Sequence, residues 1–317
     1  MNKAVIAIHG GAGAITRAQL SVEKEQLYIQ ALSEIVEAGQ AMLASGASAL
    51  DAVTEAVRML EECPLFNAGI GSVFTQAGTH ELDACIMDGN TLDAGAVAGV
   101  SHIRNPILAA RKVLENSPHV LLTGEGAEAF AQAQGLEPVS PDIFSTAERR
   151  EQLQRAQLNN QTVLDIDGGE PIDPDTKFGT VGAVALDKFG NLAAATSTGG
   201  MTNKMPGRVG DSPLVGAGCY ANNANVAVSC TGTGEVFIRT LAAYDIAALM
   251  EYRGLSLHQA SERVVMEKLP VLDGVGGVIA IDNEGNVALP FNSEGMYRGY
   301  GYVGDAPSVG IYRDQER

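Results

Sequence analysis

Three short clusters of threonine, serine and glycine in the second half of the chain have side chains suited to nucleophilic chemistry. They read GTVG (179–182), TSTGGMTNK (196–204) and SCTGTGE (229–235). The second and third clusters follow apolar runs that predict strands. In both clusters, glycines follow the threonines and serines. Glycine beside a hydroxyl at a strand end exposes both Oγ and backbone N–H groups. These are the donors from which an oxyanion hole is built.

Thr180 stands at the head of an apolar strand, where a β-branched residue is also expected on structural grounds alone. A hydroxyl nucleophile needs a base, and no histidine lies near these threonines in the sequence. The α-amine of an N-terminal threonine solves this, because its pKa of about 7.7–8.0 leaves a useful neutral fraction. Thr180 is internal, so this chemistry requires cleavage of the Gly179–Thr180 bond.

The segment before that bond has the composition of a linker. Residues 161–176, QTVLDIDGGEPIDPDT, contain five acids, two prolines and paired glycines, and have no amphipathic period. A flexible segment ending at Gly179 suits cleavage, because glycine adds little bulk at the scissile carbonyl and tolerates strained geometry. We therefore predict a linker over about 159–179.

A loop further along, PGRVGDSP (206–213), places Arg208 and Asp211 three residues apart among glycines and prolines. A rigidly held guanidinium and carboxylate suit the α-carboxylate and α-ammonium of an amino acid. Taken alone, the loop is more typical of a surface turn with an incidental ion pair. The sequence leaves both interpretations open.

The remaining pattern predicts an α+β fold. A strand over 4–8 ends at HGGAG, and helices are predicted over 21–45 and 47–62, with Ser21 and Ser48 as caps. Further helices are expected over 106–115, 125–134, 146–158, 235–251 and 256–268. The stretches 182–191 and 277–286 share a strand, D-x-x-G-N turn, strand pattern, which predicts two hairpins. Hairpins with intervening helices favour a layered α-β-β-α sandwich over a doubly wound parallel sheet.

Composition excludes several classes of protein. The 317 residues have a formal net charge of −17, which disfavours binding to nucleic acid. The four cysteines lack metal-like spacing, as expected of free thiols in a reducing cytosol. The first apolar run has about five residues, too few for a signal peptide or a membrane span, so we expect a cytoplasmic protein. The histidines have no partners at ligand spacing, and His9, at a strand tip, is the best placed of them for a chemical role.

Together these stretches resemble the plant-type (type III) L-asparaginases with isoaspartyl peptidase activity, which are N-terminal nucleophile (Ntn) hydrolases. The resemblance covers essentially the whole chain and rests on HGGAG, NAGIGSVFT, ELDACIMDG, GTVGAVALD, TSTGGMTNKMPGRVGDSPLVGAGCYA and SCTGTGE. It implies a four-layer αββα Ntn-hydrolase sandwich, with two central, mainly antiparallel sheets flanked by helices. It also implies self-cleavage at Gly179–Thr180 into an α-subunit (1–179) and a β-subunit (180–317), which together form one structural domain and pair as a dimer of heterodimers.

The resemblance further implies hydrolysis of β-aspartyl dipeptides and L-asparagine, with no cofactor needed for the chemistry and no nucleic-acid or membrane partner. Carried over by position, the resemblance implies that Thr180 is the nucleophile and that its freed amine is the base. Thr198 would hydrogen-bond the nucleophile, Asn67 would support the region around it, and Thr231 with the N–H of Gly232 would form the oxyanion hole. Arg208 would bind the substrate α-carboxylate, while Asp211 and the carbonyl of Gly234 would bind the α-ammonium.

A structural sodium ion is implied as well. The stretch LEECPLFNAGI resembles the sodium-binding loop of the family, in which backbone carbonyls hold the ion. The corresponding positions are Leu60, Glu61, Cys63, Phe66, Ala68 and Ile70. Carbonyl oxygens suit a hard monovalent cation.

Three alternatives stay open at this stage. A glycosylasparaginase or a threonine endopeptidase of the same superfamily would use the same nucleophile on other substrates. A glycine-rich binding protein that never matures would use none of this chemistry.

Overall fold

The computed structural model describes residues 3–18, 20–158 and 177–313. The predicted linker therefore lies outside the described residues except for its last three positions. The helices are α1 (Val22–Ser45), α2 (Ala49–Glu62), α3 (Pro106–Asn116), α4 (Gly124–Ala133), α5 (Ala147–Leu158), α6 (Gly234–Thr240), α7 (Ala242–Arg253) and α8 (Leu257–Glu262). The strands are β1 (Val5–Gly13), β2 (Leu82–Asp88), β3 (Ala94–Val100), β4 (Leu121–Thr123), β5 (Lys177–Phe178), β6 (Thr180–Leu186), β7 (Leu192–Thr198), β8 (Cys219–Asn222), β9 (Val226–Gly232), β10 (Gly276–Asp282), β11 (Val287–Ala288), β12 (Gly295–Tyr302) and β13 (Ser308–Tyr312).

These elements confirm the α+β class and form two sheets. The larger has the order β13-β12-β1-β6-β7-β2-β3-β4, with β5 also paired to β1. It is antiparallel except where β3 meets β4. The smaller sheet has the order β11-β10-β9-β8 and is antiparallel throughout. Such a fold is compatible with an Ntn-hydrolase sandwich.

Three apolar cores occupy different faces of the sheets. Helices α1, α2 and α3 pack on one face of the larger sheet. The opposite face packs on the smaller sheet through alternate residues such as Val184 and Leu186 of β6. The outer face of the smaller sheet is covered by α6, α7 and α8. Since strand side chains alternate between faces, β6 directs Val181 towards the helices and Thr180 towards the smaller sheet.

Local signals account for several element ends. The Ser21 and Ser48 hydroxyls accept hydrogen bonds from the N–H groups of Lys24 and Asp51, which confirms both caps. Both predicted hairpin turns are present. In each, an aspartate at the first turn position, Asp187 or Asp282, accepts hydrogen bonds from two turn N–H groups.

Three element predictions were wrong in extent. Strand β1 does not end at HGGAG but continues to Gly13, because β12 pairs with it past a bulge between His9 and Gly11. The helix predicted over 235–251 is two helices, α6 and α7, since Leu241 adopts a left-handed backbone with φ of 49°. The helix predicted over 256–268 changes to π-helical geometry over Arg263–Lys268. In the part of the chain that the structure describes, no helix is both long and apolar enough to cross a membrane.

Candidate active site

A small cleft lies at the ends of β6, β7 and β9. Six of the predicted site residues line it: Gly179, Thr180, Thr198, Arg208, Asp211 and Gly232. Gly200, Met201, Gly210 and Ser212 complete the lining, and no role was predicted for them. The cleft therefore brings together hydroxyl clusters and a charged loop that are well separated in the sequence.

Thr180 and Thr198 are direct cross-strand partners on β6 and β7. The Thr180 hydroxyl donates to Thr198 Oγ1 at 3.1 Å, and the Thr198 hydroxyl donates to the carbonyl oxygen of Gly179 at 3.4 Å. The Gly200 N–H donates to Thr198 Oγ1 at 2.9 Å and fixes this hydroxyl from the other side. Thr198 thus joins the hydroxyl of Thr180 to the carbonyl group of the peptide bond before it.

Asn67 packs against that peptide bond from outside the cleft. Its Nδ2 donates to Gly200 O at 2.7 Å, and its Oδ1 accepts from the Val73 N–H at 2.9 Å. A Cβ added at Gly179 would lie 2.2 Å from Asn67 Cβ, so no side chain fits at position 179. The side chain of Asn67 is held by hydrogen bonds on both sides and cannot move away. Position 179 therefore requires glycine.

Thr231 and Gly232 end β9 opposite β1. The buried Thr231 hydroxyl accepts a hydrogen bond from the Ala12 N–H at 3.3 Å. Gly232 has a φ of 152°, and a Cβ there would lie 2.3 Å from the carbonyl oxygen of Val275. Only glycine suits this backbone, and Gly232 lines the cleft wall.

Arg208 is paired with Glu235, a residue for which no role was predicted. Its Nε and Nη2 donate to the two carboxylate oxygens of Glu235 at 2.8 and 2.9 Å. Burial opposes ionisation of Glu235, but the hydrogen bonds and charge of Arg208 outweigh it, so the pKa of Glu235 is lowered. The partners are 27 residues apart, so only the tertiary fold brings them together.

Asp211 has a buried carboxylate, and its Oδ2 accepts no hydrogen bond from any described residue. Burial raises the pKa of Asp211 to about 7, although its backbone N–H and the charge of Arg208 act in the opposite direction. Gly234 lies against both groups, since a Cβ there would be 2.9 Å from Arg208 Nη2 and 3.0 Å from Asp211 Oδ1. A buried carboxylate oxygen without a donor is suited to a cationic ligand group.

Two further buried charges, unassigned from the sequence, lie behind the cleft. Asp83 faces Thr198 across β2 and β7, and burial raises the pKa of its carboxyl group. Lys204 Nζ donates to the carbonyl oxygen of Glu81 at 2.7 Å, and burial lowers its pKa. A Cβ at Gly200 would lie 2.8 Å from Lys204 Nζ, so this lysine packs directly beneath the turn that fixes Thr198.

The loop after α2 reaches the cleft through Asn67. Within it the carbonyl oxygens of Leu60, Glu61 and Cys63 accept hydrogen bonds from loop N–H groups. Gly69 has a φ of 50°, and a Cβ there would lie 2.4 Å from Glu61 O. The remaining predicted ion-binding positions, Phe66, Ala68 and Ile70, lie in the same turn and outside the cleft lining.

Comparison with known proteins gives this arrangement a family context. The profile of a family described as "Asparaginase" matches residues 2–311. The chain belongs to the asparaginase family. It is 76% identical to the isoaspartyl peptidase of Salmonella typhimurium, over 99% of this chain and 100% of that protein.

Other relatives of the asparaginase family extend the similarity. The isoaspartyl peptidase of Escherichia coli is 75% identical, over 99% of this chain and 98% of that protein. The isoaspartyl peptidase/L-asparaginase of Danio rerio is 42% identical, over 91% and 89% of the two chains. The resemblance inferred from the sequence motifs is therefore confirmed.

Proposed function

We propose that this chain is a hydrolase that cleaves itself between Gly179 and Thr180 and then hydrolyses β-aspartyl dipeptides and L-asparagine. The names of its close relatives support the substrate class, and the cleft supports the chemistry. One observation carries the proposal: Thr198 hydrogen bonds both the hydroxyl of Thr180 and the carbonyl of the bond to be cut. The attacking group and the group attacked are thus held by a single side chain.

Self-cleavage follows from this contact. The Thr180 Oγ attacks the carbonyl carbon of Gly179 while Thr198 accepts the hydroxyl hydrogen bond. The C–N bond then breaks, the acyl group moves to Oγ as an ester, and the proton goes to the departing nitrogen. Water hydrolyses the ester, which leaves a carboxylate on Gly179 and a free α-amine on Thr180. That amine is the base that the uncut chain lacks.

Substrate hydrolysis uses the same hydroxyl. Arg208 binds the α-carboxylate of the β-aspartyl group, while Asp211 and the carbonyl of Gly234 bind its α-ammonium. The Thr180 amine takes the hydroxyl proton as Oγ attacks the side-chain carbonyl. Ammonia or an amino acid leaves with that proton, and water hydrolyses the β-aspartyl ester. No cofactor takes part in these steps.

The negative charge that develops on the substrate oxygen needs donors. Because the oxygen of Thr231 accepts from Ala12, the hydroxyl hydrogen of Thr231 remains as a donor, next to the N–H of Gly232. One such donor contributes roughly 3–4 kcal/mol to stabilisation of the transition state. Asn67 supports the region by holding Gly199, Gly200 and Val73 around the threonines.

The subunit and layer arrangement is part of the same proposal. The order of the three cores, helix on sheet, sheet on sheet and sheet on helix, supports a four-layer αββα sandwich. Since β6 pairs with β1 and β7 in one sheet, residues 1–179 and 180–317 would stay together as one domain after cleavage. We also propose a cytoplasmic dimer of these heterodimers.

A structural sodium ion fits the loop after α2. Gly69 and Gly71 allow carbonyl oxygens to approach the loop backbone, since a Cβ at Gly71 would lie 2.8 Å from Phe66 O. A carbonyl has two lone pairs, so those of Leu60, Glu61 and Cys63 can accept an N–H and still bind a cation. These three, with the carbonyls of Phe66, Ala68 and Ile70, would hold the ion. Through Asn67, the ion would stiffen the loop against Gly179.

The proposal is tested with Thr180→Ala. The variant should stay uncut on a denaturing gel and should hydrolyse neither β-aspartyl dipeptides nor L-asparagine. A cleaved, active Thr180→Ala protein would overturn it. For the wild type, activity on glycosylated asparagine or on proteins in place of these substrates would favour the glycosylasparaginase or endopeptidase alternative.

A further inference from the structure

A buried polar cluster lies between the two sheets, two residues along β7 and β9 from Thr198 and Thr231. Its members are His9 on β1, Thr196 on β7 and Ser229 on β9, and all three are fully buried. His9 Nε2 lies 2.9 Å from Ser229 Oγ, and Thr196 Oγ1 lies 2.7 Å from the same oxygen. The serine of one sheet is thus bonded to two side chains of the other.

A glycine makes this contact possible. In the larger sheet His9 pairs with Gly182, and Gly182 pairs with Thr196, so the three form one row across neighbouring strands. A Cβ on Gly182 would lie 2.0 Å from Ser229 Oγ and 2.5 Å from His9 Nε2. The Ser229 hydroxyl therefore fills the space that the missing side chain leaves. This explains a glycine inside a strand, where it otherwise weakens pairing.

The cluster also contacts the proposed nucleophile. His9 Nδ1 donates to the carbonyl oxygen of Thr180 at 2.9 Å, which makes Nε2 an acceptor for the Ser229 hydroxyl in the neutral ring. Burial lowers the pKa of His9 to about 3, so the ring is neutral at physiological pH. The ring has a directional bond on each side and is fixed in one tautomer.

Ser229 and Thr231 are two residues apart on β9 and face the same way, towards the larger sheet. Each is bonded to β1, Ser229 through the His9 ring and Thr231 through the Ala12 N–H. Likewise Gly182 and Thr180 are two residues apart on the same face of β6. The register that places Ser229 over Gly182 therefore sets the position of Thr231 relative to Thr180.

We propose that His9, Ser229 and Thr196 form a polar lock between the sheets that aligns Thr231 and Gly232 with Thr180, as positioning residues for the reaction proposed above. Apolar packing is not directional and tolerates small sliding of one sheet on the other, whereas the two buried hydrogen bonds of Ser229, to His9 and to Thr196, do not. The inference rests on the proposed function, since alignment matters only if Thr180 is the nucleophile and Thr231 is a donor.

The first test is Ser229→Ala, which removes one oxygen atom and both bonds of the lock. Because a shift of about 1 Å can cost on the order of a hundredfold in rate, kcat per cleaved chain should fall about ten- to a hundredfold, with KM changed less than about threefold. Self-cleavage should slow as well. Thr196→Val should lower kcat in the same direction, since it removes the bond to Ser229 and also the contact of Thr196 Oγ1 with the carbonyl oxygen of Gly218 at 3.1 Å. The double variant should lose less than the product of the two single losses, because both changes break the bond between Thr196 and Ser229.

Val228→Ala is the matched control. Val228 is the buried neighbour of Ser229 on β9 but faces the helix-covered core. It should lower the thermal midpoint at least as much as Ser229→Ala and leave kcat within about threefold of wild type, because it removes packing without touching the lock. Equal losses of kcat in both variants would mean a merely structural role and would overturn the inference.

A second pair of variants separates the two bonds of His9. His9→Gln retains a polar group near the position of Nε2, and His9→Asn retains one near Nδ1. The lock predicts that the glutamine variant keeps the higher kcat. A higher kcat for the asparagine variant would show that the Thr180 carbonyl contact matters instead, and would overturn the lock.

An inactive, uncut wild type would overturn the proposed function itself, whereas an active wild type with an unimpaired Ser229→Ala overturns this inference alone.

Discussion

Glu235 holds Arg208 by the Nε–Nη2 edge of its guanidinium, which leaves Nη1 beside Gly210 in the cleft wall. The side chain of Arg208 is only 16% exposed, so its position depends on this pair. Two parallel hydrogen bonds fix the plane of the guanidinium, and a substrate carboxylate would meet an oriented Nη1 group. We therefore expect Glu235 to position Arg208 for substrate binding.

Glu235→Gln should therefore raise KM about tenfold and leave kcat within about twofold, because an interaction used equally in the ground state and transition state is weakened. Steady-state kinetics on a β-aspartyl dipeptide measure this, with the exposed Glu251→Gln as control. A lower KM would contradict the account, since it would mean that Glu235 competes with the substrate for Arg208.

Asp211 should give the activity an acid limb. Burial raises the pKa of Asp211 to about 7, so the carboxylate proposed to bind the α-ammonium is increasingly protonated below neutral pH. In the free enzyme, protonation of Asp211 alone should lower kcat/KM about tenfold per pH unit below that value. Asp211→Asn should lose about 2–3 kcal/mol of binding, on the order of 30- to 150-fold in kcat/KM, and should flatten this limb.

The exposed Asp142→Asn is the matched control for that pH profile and should leave it unchanged. Any limb that persists in Asp211→Asn reports the Thr180 amine instead. An unaltered acid limb in Asp211→Asn would show that Asp211 does not set the pH dependence.

Gly179→Ala should block or greatly slow self-cleavage. The added methyl group would overlap Asn67 Cβ at 2.2 Å, and Asn67 is held by its bonds to Gly200 and Val73. The scissile carbonyl would then be displaced from Thr198. Gly126→Ala, on an open helix surface, is the control and should mature normally. A time course of fragment appearance checks both variants. Normal maturation of Gly179→Ala would show that the close contact between position 179 and Asn67 does not control cleavage.

Sodium should stabilise the wild type. Transfer from a tetramethylammonium buffer to about 100 mM Na⁺ should raise the thermal midpoint by a few degrees, in proportion to the logarithm of the ion concentration. Gly69→Ala should lose this response because its methyl group would displace Glu61 O. Gly78→Ala has a similarly left-handed backbone but open space around it, so it should keep the response. Equal responses in the two variants would place the ion elsewhere.

The sequence predicted those parts of the fold that are specified locally. Ser21 and Ser48 cap helices through N–H groups three residues on, and Asp187 and Asp282 each close their own turn. The break at Leu241 has no such signal, since a leucine rarely adopts the left-handed backbone that its φ of 49° gives it. The extension of β1 likewise depends on pairing with β12, which is almost 300 residues away in the sequence.

The residues of the candidate site likewise divide into those that are recognisable from a short stretch of sequence and those that depend on distant contacts. Glycine-flanked threonines and the Arg208–Asp211 loop could be recognised because each lies within one short stretch. The pairing of Glu235 with Arg208 and the contacts of His9 were missed because the partners are distant in sequence: His9 contacts residues 171 and 220 positions away. Spacing rules for histidine ligands carry no information about such contacts.

The N-terminal sequence and mass of the fragments in fully active, purified protein test self-cleavage most directly. We expect two fragments, one ending at Gly179 and one beginning with a free amine at Thr180, with activity that rises in step with their appearance. Full activity in an intact chain whose sole N-terminus precedes residue 179 would contradict it.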